Sequence, residues 1–334
     1  MRAAIVLLSL LLVAPAVAQQ RAKQPQRPAP APPPLCEAPE TVPKDITAEP
    51  FYRDPKKSIV DAVAAAKNNT TLAPLDKPLR KIVNWSNLWV AKQDKAALTC
   101  ALSWMAGAAA DEAMLGAMSS EQAEHERRWR TAGMAVVWLK LKPQATVDQQ
   151  AGIERWLKAL AEKNRADDAR RRVGNHIRNW SALGATAVGF ATGDAALQGY
   201  GRAGFDAALK EITPEGRLPA EIGRGQLALH YHHYALAPLV LSAEIAARHG
   251  QDWYAGAEPL HRLANFTAAA MVEPEPLVTL AGTRQKPVTA GFVGWQAFYG
   301  RRFPDRLKQG KQAGPWGYSW LGGNLSDLST LWIK

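Results

Sequence analysis

Two stretches of this sequence place charged, imidazole and phenol groups where they could act on an anion. In the first, Arg170-Arg171-Arg172-Val173-Gly174-Asn175-His176-Ile177-Arg178-Asn179-Trp180, a basic turn runs into an apolar helix. Asn175 stands at the expected N-cap. Its amide, the His176 ring and the free N–H groups of the first turn would gather at the positive end of a helix dipole, which attracts carboxylates. The same spacing suits an ordinary capped helix with a surface histidine. In the second stretch, Arg224 precedes Tyr231 by seven residues, inside Leu229-His230-Tyr231-His232-His233-Tyr234. Seven residues of α-helix turn through about 700° and rise about 10.5 Å, so a guanidinium and a phenol would share one face. That separation fits adjoining units of a sugar chain, although a half-buried aromatic helix with solvated histidines satisfies the same pattern.

The three histidines invite a metal reading. His230 and His233 could share a helix face, but His232 points elsewhere, and no HExxH or Glu-x-x-His pairing accompanies them. No metal site is therefore assigned, and no cofactor is implied. The sequence also lacks a GxSxG nucleophile elbow, a glycine-rich phosphate loop after a strand, and any nucleic-acid-binding signature. The chain has 12 tryptophans, some of which could combine with arginines into a groove that stacks sugars and binds carboxylates.

Helices must position these groups. From about Ser58, apolar residues recur at spacings of three and four between Gly, Pro, Asn and Asp punctuation. The pattern predicts helices over Ser58–Lys67, Pro78–Lys92, Asp94–Met114, Ser120–Leu141, Val147–Asn164, Ile177–Thr192, Asp194–Leu209, Arg224–Arg248 and Pro259–Met271. Gly193 and Gly250 stand at helix C-terminal positions. The clearest strand signal is Leu328–Ile333. Helix pairs joined by short turns argue for a single all-α domain of stacked hairpins over residues 36–334.

Composition bounds the partner. The net charge is +11, and Arg2 lies in a segment expected to be removed, so the mature chain carries about +10 and favours a polyanion. The apolar run Ala3–Val13 followed by Ala16-Val17-Ala18 reads as a cleavable signal peptide over residues 1–18, too short to span a bilayer. Export to the periplasm, with no membrane association afterwards, is the expectation. Residues 19–35, rich in Pro and Gln, read as a flexible lead-in. In an oxidising compartment the two cysteines, Cys36 and Cys100, most simply form one disulfide. It would close a loop of about 64 residues, worth roughly 4 kcal/mol; two buried thiols are the alternative. No interface signal stands out, and a monomer is the default.

Asn175-His176 with Trp180, then Arg224 and Tyr231 followed by Pro238-Leu239 and Ala243-Glu244, resembles the alginate lyases of polysaccharide lyase family 5. The family's strings are of the type Asn-Asn-His-x-x-Trp and Arg-x-x-x-x-x-x-Tyr-x-Asn-Tyr-Ala. Similarity runs from about Cys36 to the C-terminus, including Trp295–Phe303 and Gly322-Gly323. The resemblance implies an incomplete (α/α) toroid of helical hairpins around a deep groove. It would cleave β-1,4-linked uronate polymers such as polymannuronate or alginate by β-elimination without metal, giving 4,5-unsaturated oligouronates. By the same resemblance Asn175, His176 and Arg224 would neutralise the uronate carboxylate. Tyr231 would take the C5 proton or return one to O4, with Arg224 and His176 lowering a phenol pKa that is ordinarily near 10. A lid would lie around Tyr52-Arg53-Asp54 and Asn68-Asn69-Thr70-Thr71, with Tyr52 as a contact, and Trp180, His230, Tyr299, Arg301 and Arg302 become candidate substrate-binding residues.

Three departures bear on the substrate. Gly174 replaces the first Asn, one residue is inserted before Trp180, and His233 stands where Asn is expected. A polyglucuronate or glucuronan-type lyase is the alternative within the class. A non-catalytic uronan-binding protein is the alternative outside it. A glycoside hydrolase using Glu211, Glu215 or Glu221 gives no reason for Asn175, His176, Arg224 and Tyr231.

Overall fold

The structure is a computed structural model and describes residues 36–312 and 314–333; the signal peptide and the segment 19–35 lie outside the described residues. Helix α1 (Ala62–Lys92) and α2 (Lys95–Ala110) form the first hairpin, followed by α3 (Glu121–Leu141) and α4 (Val147–Arg171), then α5 (Asn175–Thr192) and α6 (Ala195–Glu211). The short α7 (Pro219–Ile222) and a 3₁₀ turn at Gly225–Leu227 lead into α8 (Ala228–Arg248) and α9 (Glu258–Ala269). Four shorter helices follow: α10 (Glu275–Ala281), α11 (Ala290–Val293), α12 (Trp295–Arg302) and α13 (Leu325–Trp332). Two-residue strands β1 (Gly317–Tyr318) and β2 (Gly323–Asn324) pair antiparallel just before α13. No described helix is long and apolar enough to cross a membrane.

The hairpins make an incomplete (α/α) toroid. Helices α3, α5 and α8 are buried over almost their whole lengths, with α5 packed against both of the others, while α4 and α6 cover them from outside and show the alternation of buried and exposed residues expected of an outer layer. Local chemistry sets the ends. Thr146 and Gln149 form a reciprocal capping box at the start of α4, and Gly193, at φ 72°, closes α5.

Two expected helices prove to be one. Helix α1 runs 31 residues and carries Pro74 and Pro78 inside it, so the break read before Pro78 does not occur. Its buried face of Leu72, Leu75, Leu79, Ile82 and Val83 holds the helix together through the two lost N–H donors. Asn68–Thr71, expected in a lid, lie inside this helix. The stretch read as a strand at Leu328–Ile333 is instead the body of α13, capped by Asn324, whose Oδ1 accepts from Asp327 N at 3.1 Å.

The structure does not show the disulfide expected between Cys36 and Cys100, although the two side chains meet. The two side chains are thiols within hydrogen-bond reach, and burial, with Cys36 alongside, pushes the Cys100 thiol up to about 12. The N-terminal segment is held by other contacts. Trp104 Nε1 donates to Glu37 O at 2.9 Å, Val42 N to Asp111 Oδ2 at 2.9 Å, and Ala48 N to Ser119 Oγ at 3.1 Å. At the other end, the C-terminal segment returns across α1 and α3. Lys140 Nζ donates to Gly322 O and to Ser86 Oγ (3.1 Å), Asn324 N donates to Asn87 Oδ1 (2.9 Å), and a Cβ at Gly133 would stand 2.3 Å from Ser319 O. Only glycine allows that approach.

Candidate active site

A cavity of about 840 Å³ opens among the ends of α1, α3, α5 and α8. The loop 51–61 stands over it. Asp54 accepts from Ser58 N at 2.8 Å and Ile59 N at 2.7 Å, and Gln226 Nε2 ties the loop to the 3₁₀ turn by donating to Ser58 O at 2.8 Å. The lining is rich in cations, with Lys57, Arg171, Arg172, Arg224 and Lys286, of which Arg171 pairs with Glu124 at 2.5 Å and Arg224 lies 3.6 Å from Glu221. Arg130 is compensated by Asp76 (2.7 Å) and Glu126 (2.5 Å). Trp129 and Trp320, stacked at 4.3 Å with 13° between planes, give an aromatic wall completed by Tyr318. Neither tryptophan stands in a motif that could have singled it out.

Asn175, His176, Arg224 and Tyr231 all line this cavity. Gly174 rather than Asn175 occupies the N-cap position. Asn175 adopts φ 50°, the left-handed region that asparagine tolerates, and its Oδ1 accepts from Ile177 N at 3.1 Å, which leaves Nδ2 to donate. The His176 ring is 4.9 Å from the Tyr231 ring. Arg224 and Tyr231 do meet, but not along one helix. Arg224 precedes the 3₁₀ turn, α8 begins at Ala228, and the bend brings the guanidinium carbon to 4.5 Å from the Tyr231 ring centre. The hydroxyls of Tyr231 and Tyr52 are 2.6 Å apart.

The electrostatics of Tyr231 differ from the expectation. Burial, and next the Tyr52 hydroxyl, push the phenol above its ordinary value of 10.0, and Arg224 only partly opposes them. In the open cavity Tyr231 is therefore a neutral phenol. Burial, then His176, holds His230 down at about 4, so this ring on the cavity wall is neutral in neutral solution.

Glu221, in sequence only a candidate hydrolase carboxylate, is in the structure a partner of these groups. It is 1% exposed, and His176 Nδ1 lies 2.9 Å from its Oε1. Arg224 Nε lies 3.6 Å from its Oε2. The three histidines of α8 diverge. His230 faces the cavity, while His232 donates from Nδ1 to Ala228 O (2.8 Å) and accepts at Nε2 from Leu218 N (3.1 Å). His233 accepts at Nδ1 from Trp295 Nε1 at 3.0 Å.

Four of the residues proposed for substrate binding lie elsewhere. Trp180 is 0% exposed and packs on Tyr234 at 5.1 Å, because α5 is covered by α3, α6 and α8 together. Tyr299 is 0% exposed, with its hydroxyl bonded to His261 Nδ1 at 2.8 Å. Arg302 forms a two-point pair with the buried Glu244 at 2.6 and 2.7 Å, and Arg301 bonds Thr330 Oγ1 at 2.9 Å on the surface.

A helical-hairpin toroid that gathers an amide, an imidazole, a guanidinium and a phenol at a cation-rich, aromatic-walled cavity is built as a polysaccharide-cleaving enzyme. A family model described as alginate lyase matches residues 45–277. A polysaccharide lyase of Stenotrophomonas maltophilia is 38% identical over 303 residues, covering 88% of this chain and 91% of its own. An alginate lyase of Azotobacter vinelandii is 28% identical over 310 residues, covering 86% and 83%. Among solved structures, a histidine-to-alanine variant of alginate lyase A1-III in complex with a tetrasaccharide superposes with a TM-score of 0.78 at 22% identity, covering 93% of this chain and 91% of that one. The crystal structure of alginate lyase A1-III from Sphingomonas species A1 gives 0.74 at 23%, covering 88% and 86%. The chain belongs to the alginate lyase family and is a polysaccharide lyase.

Proposed function

We propose that this lyase is exported to the periplasm by residues 1–18, with residues 19–35 as a flexible lead-in. There it acts as a monomer and cleaves mannuronate-type β-1,4-linked uronate polymers, alginate among them, by β-elimination. The observation that carries the reading is the convergence of Asn175, His176, Arg224 and Tyr231 on one cavity. Residues that serve only packing have no reason to place four hydrogen-bonding or charged groups around an empty space.

The chemistry follows from the obstacle. The C5 proton of a uronate is too weakly acidic while the carboxylate beside it is ionised. Asn175 Nδ2, His176 and Arg224 bind that carboxylate and stabilise the enediolate-like charge that forms when C5 loses its proton. The electron pair of the C5–H bond becomes the C4=C5 double bond, the C4–O4 bond breaks, and O4 takes a proton. No water is consumed. On mannuronate the C5 hydrogen and O4 lie on the same side, so Tyr231 serves both transfers. Its resting phenol is ready to donate to O4. To take the C5 proton it must first ionise, which Arg224 against its ring favours; Tyr52, whose contact raises the resting phenol, favours the phenolate only once its own hydroxyl turns to donate at 2.6 Å. A polymer with opposite faces needs a second proton acceptor, for which His176 is the candidate.

Incubation of the purified chain with polymannuronate and polyglucuronate, followed by near-ultraviolet absorbance of the conjugated product, tests the reading. Depolymerisation without that absorbance replaces elimination by hydrolysis. Binding without depolymerisation leaves a uronan-binding protein. Faster turnover of polyglucuronate transfers the preference to that polymer.

A further inference from the structure

Behind the His176 ring sits a carboxylate that the elimination scheme does not use. Glu221 is carried by α7, whose proline start and tight exit through Gly223 turn the chain directly into Arg224. It does not line the main cavity. It lines a separate space of about 300 Å³ on the reverse side of Asn175 and His176. There one carboxylate reaches two of the four groups that face the substrate, through His176 Nδ1 at 2.9 Å and Arg224 Nε at 3.6 Å. Oε2 has no hydrogen bond among the described residues, and the ionisable groups this carboxylate faces are His176, Arg224 and the buried His232.

We infer that Glu221 is the positioning residue of the site: it keeps the proton of the neutral His176 ring on Nδ1, aims Nε2 at the cavity, and holds Arg224 against Tyr231. The inference rests on the lyase reading above. A carboxylate oxygen can only accept, so Nδ1 must donate to it, and the other ring nitrogen is left with its lone pair. The opposite tautomer would set a lone pair against a buried anion. His176 therefore meets the substrate through an Nε2 that accepts a proton when the ring is neutral and donates one when it is charged. The charged form is the one that donates to the uronate carboxylate on mannuronate, and the neutral form is the proton acceptor for a polymer with opposite faces. Arg224 gains a fixed direction from the same anion, since its Nε faces Glu221 while its plane covers the phenol. Burial raises the Glu221 carboxyl, but His176, their hydrogen bond and Arg224 pull it below its ordinary value of 4.5, in keeping with an ionised group.

A purely structural ion pair would support the fold but leave ring orientation and turnover alone, and this separates the two accounts. The full chain, labelled with ¹⁵N-histidine, is compared with Glu221→Gln and Glu221→Ala, and the His176 signals are assigned by their loss in His176→Gln. The expected wild-type spectrum shows the neutral ring protonated at Nδ1. In Glu221→Gln the tautomer preference weakens and kcat on polymannuronate falls about 10- to 100-fold, with KM changed less and the melting temperature nearly kept. Glu221→Ala falls further, and added formate restores part of its activity. A wild-type ring protonated at Nε2 overturns the inference. So does a Glu221→Gln enzyme with kcat within twofold of wild type, or one that loses only melting temperature. If the wild-type chain turns over no uronate polymer, the lyase reading fails, while the nitrogen spectrum still decides whether Glu221 sets the ring.

Discussion

Tyr52→Phe isolates the hydrogen bond that supports the phenolate. The substitution removes one oxygen and leaves the ring, with its 4.6 Å contact to Phe51, in place. What disappears is the 2.6 Å contact to Tyr231 across 179 residues of sequence. A hydrogen bond to a neutral phenol contributes about 0.5–1.5 kcal/mol, and one to a charged oxygen about 1.5–3 kcal/mol. The resting enzyme holds the neutral form, so little is lost before reaction. In the transition state Tyr231 carries charge, and the larger figure applies. At about 1.4 kcal/mol per factor of ten, kcat falls roughly 10- to 100-fold while KM moves by less than about threefold. Steady-state absorbance of the unsaturated product on polymannuronate measures both constants. A Tyr52→Phe enzyme with unchanged kcat would refute the assignment of Tyr52 as a donor to the reacting phenol.

Four further outcomes follow from the site and its surroundings. Tyr231→Phe keeps polymer affinity by isothermal titration and loses turnover by about 100-fold or more, whereas Arg224→Ala weakens both, because the guanidinium binds the carboxylate before and during reaction. Because burial holds the Tyr231 phenol above its ordinary 10.0, the phenolate fraction rises with pH, and kcat/KM climbs by up to about tenfold per pH unit from pH 7 toward 9; a flat profile removes the phenolate from the mechanism. Arg302→Ala leaves the fully buried Glu244 without its cation, costs about 3 kcal/mol of stability by denaturant melts, and leaves KM alone because neither residue lines the cavity. Burial raises the Glu124 carboxyl, but its hydrogen bonds with Arg171 and Arg170 hold it below the ordinary 4.5. Its contribution is present above that value and is lost as pH falls through the lower folded value, so the melting temperature drops between pH 5 and 3.

The helices were legible wherever apolar spacing and caps agreed, as in Val147 onward with its Thr146–Gln149 box, and illegible where a single strong rule misled. Proline punctuation split α1, because a local propensity cannot weigh the five-residue buried face that carries the helix past Pro74 and Pro78. Thr330 and Ile333 suggested a strand, while the competing signal, Asn324 three residues before Asp327, marked the start of α13. At the site, the residues that share a string were found together, since Arg224 and Tyr231 lie only seven apart. The wall from Trp129 and Trp320 and the buried Glu221 contact were not, because they join segments 191 and 45 residues apart. Trp180 shows the converse. Its place in a motif said nothing about which way it faces on a helix covered from three directions.

The return of the C-terminal segment across α1 and α3 has a consequence for biosynthesis. Tyr318 and Trp320, which follow every other lining residue in the sequence, finish the substrate chamber that residues near position 52 begin. A chain made only as far as residue 316 thus has the proton-transfer groups but an open side where the polymer should be gripped. The aromatic wall therefore closes only after residues 317–324 have been made and have folded back over α1 and α3.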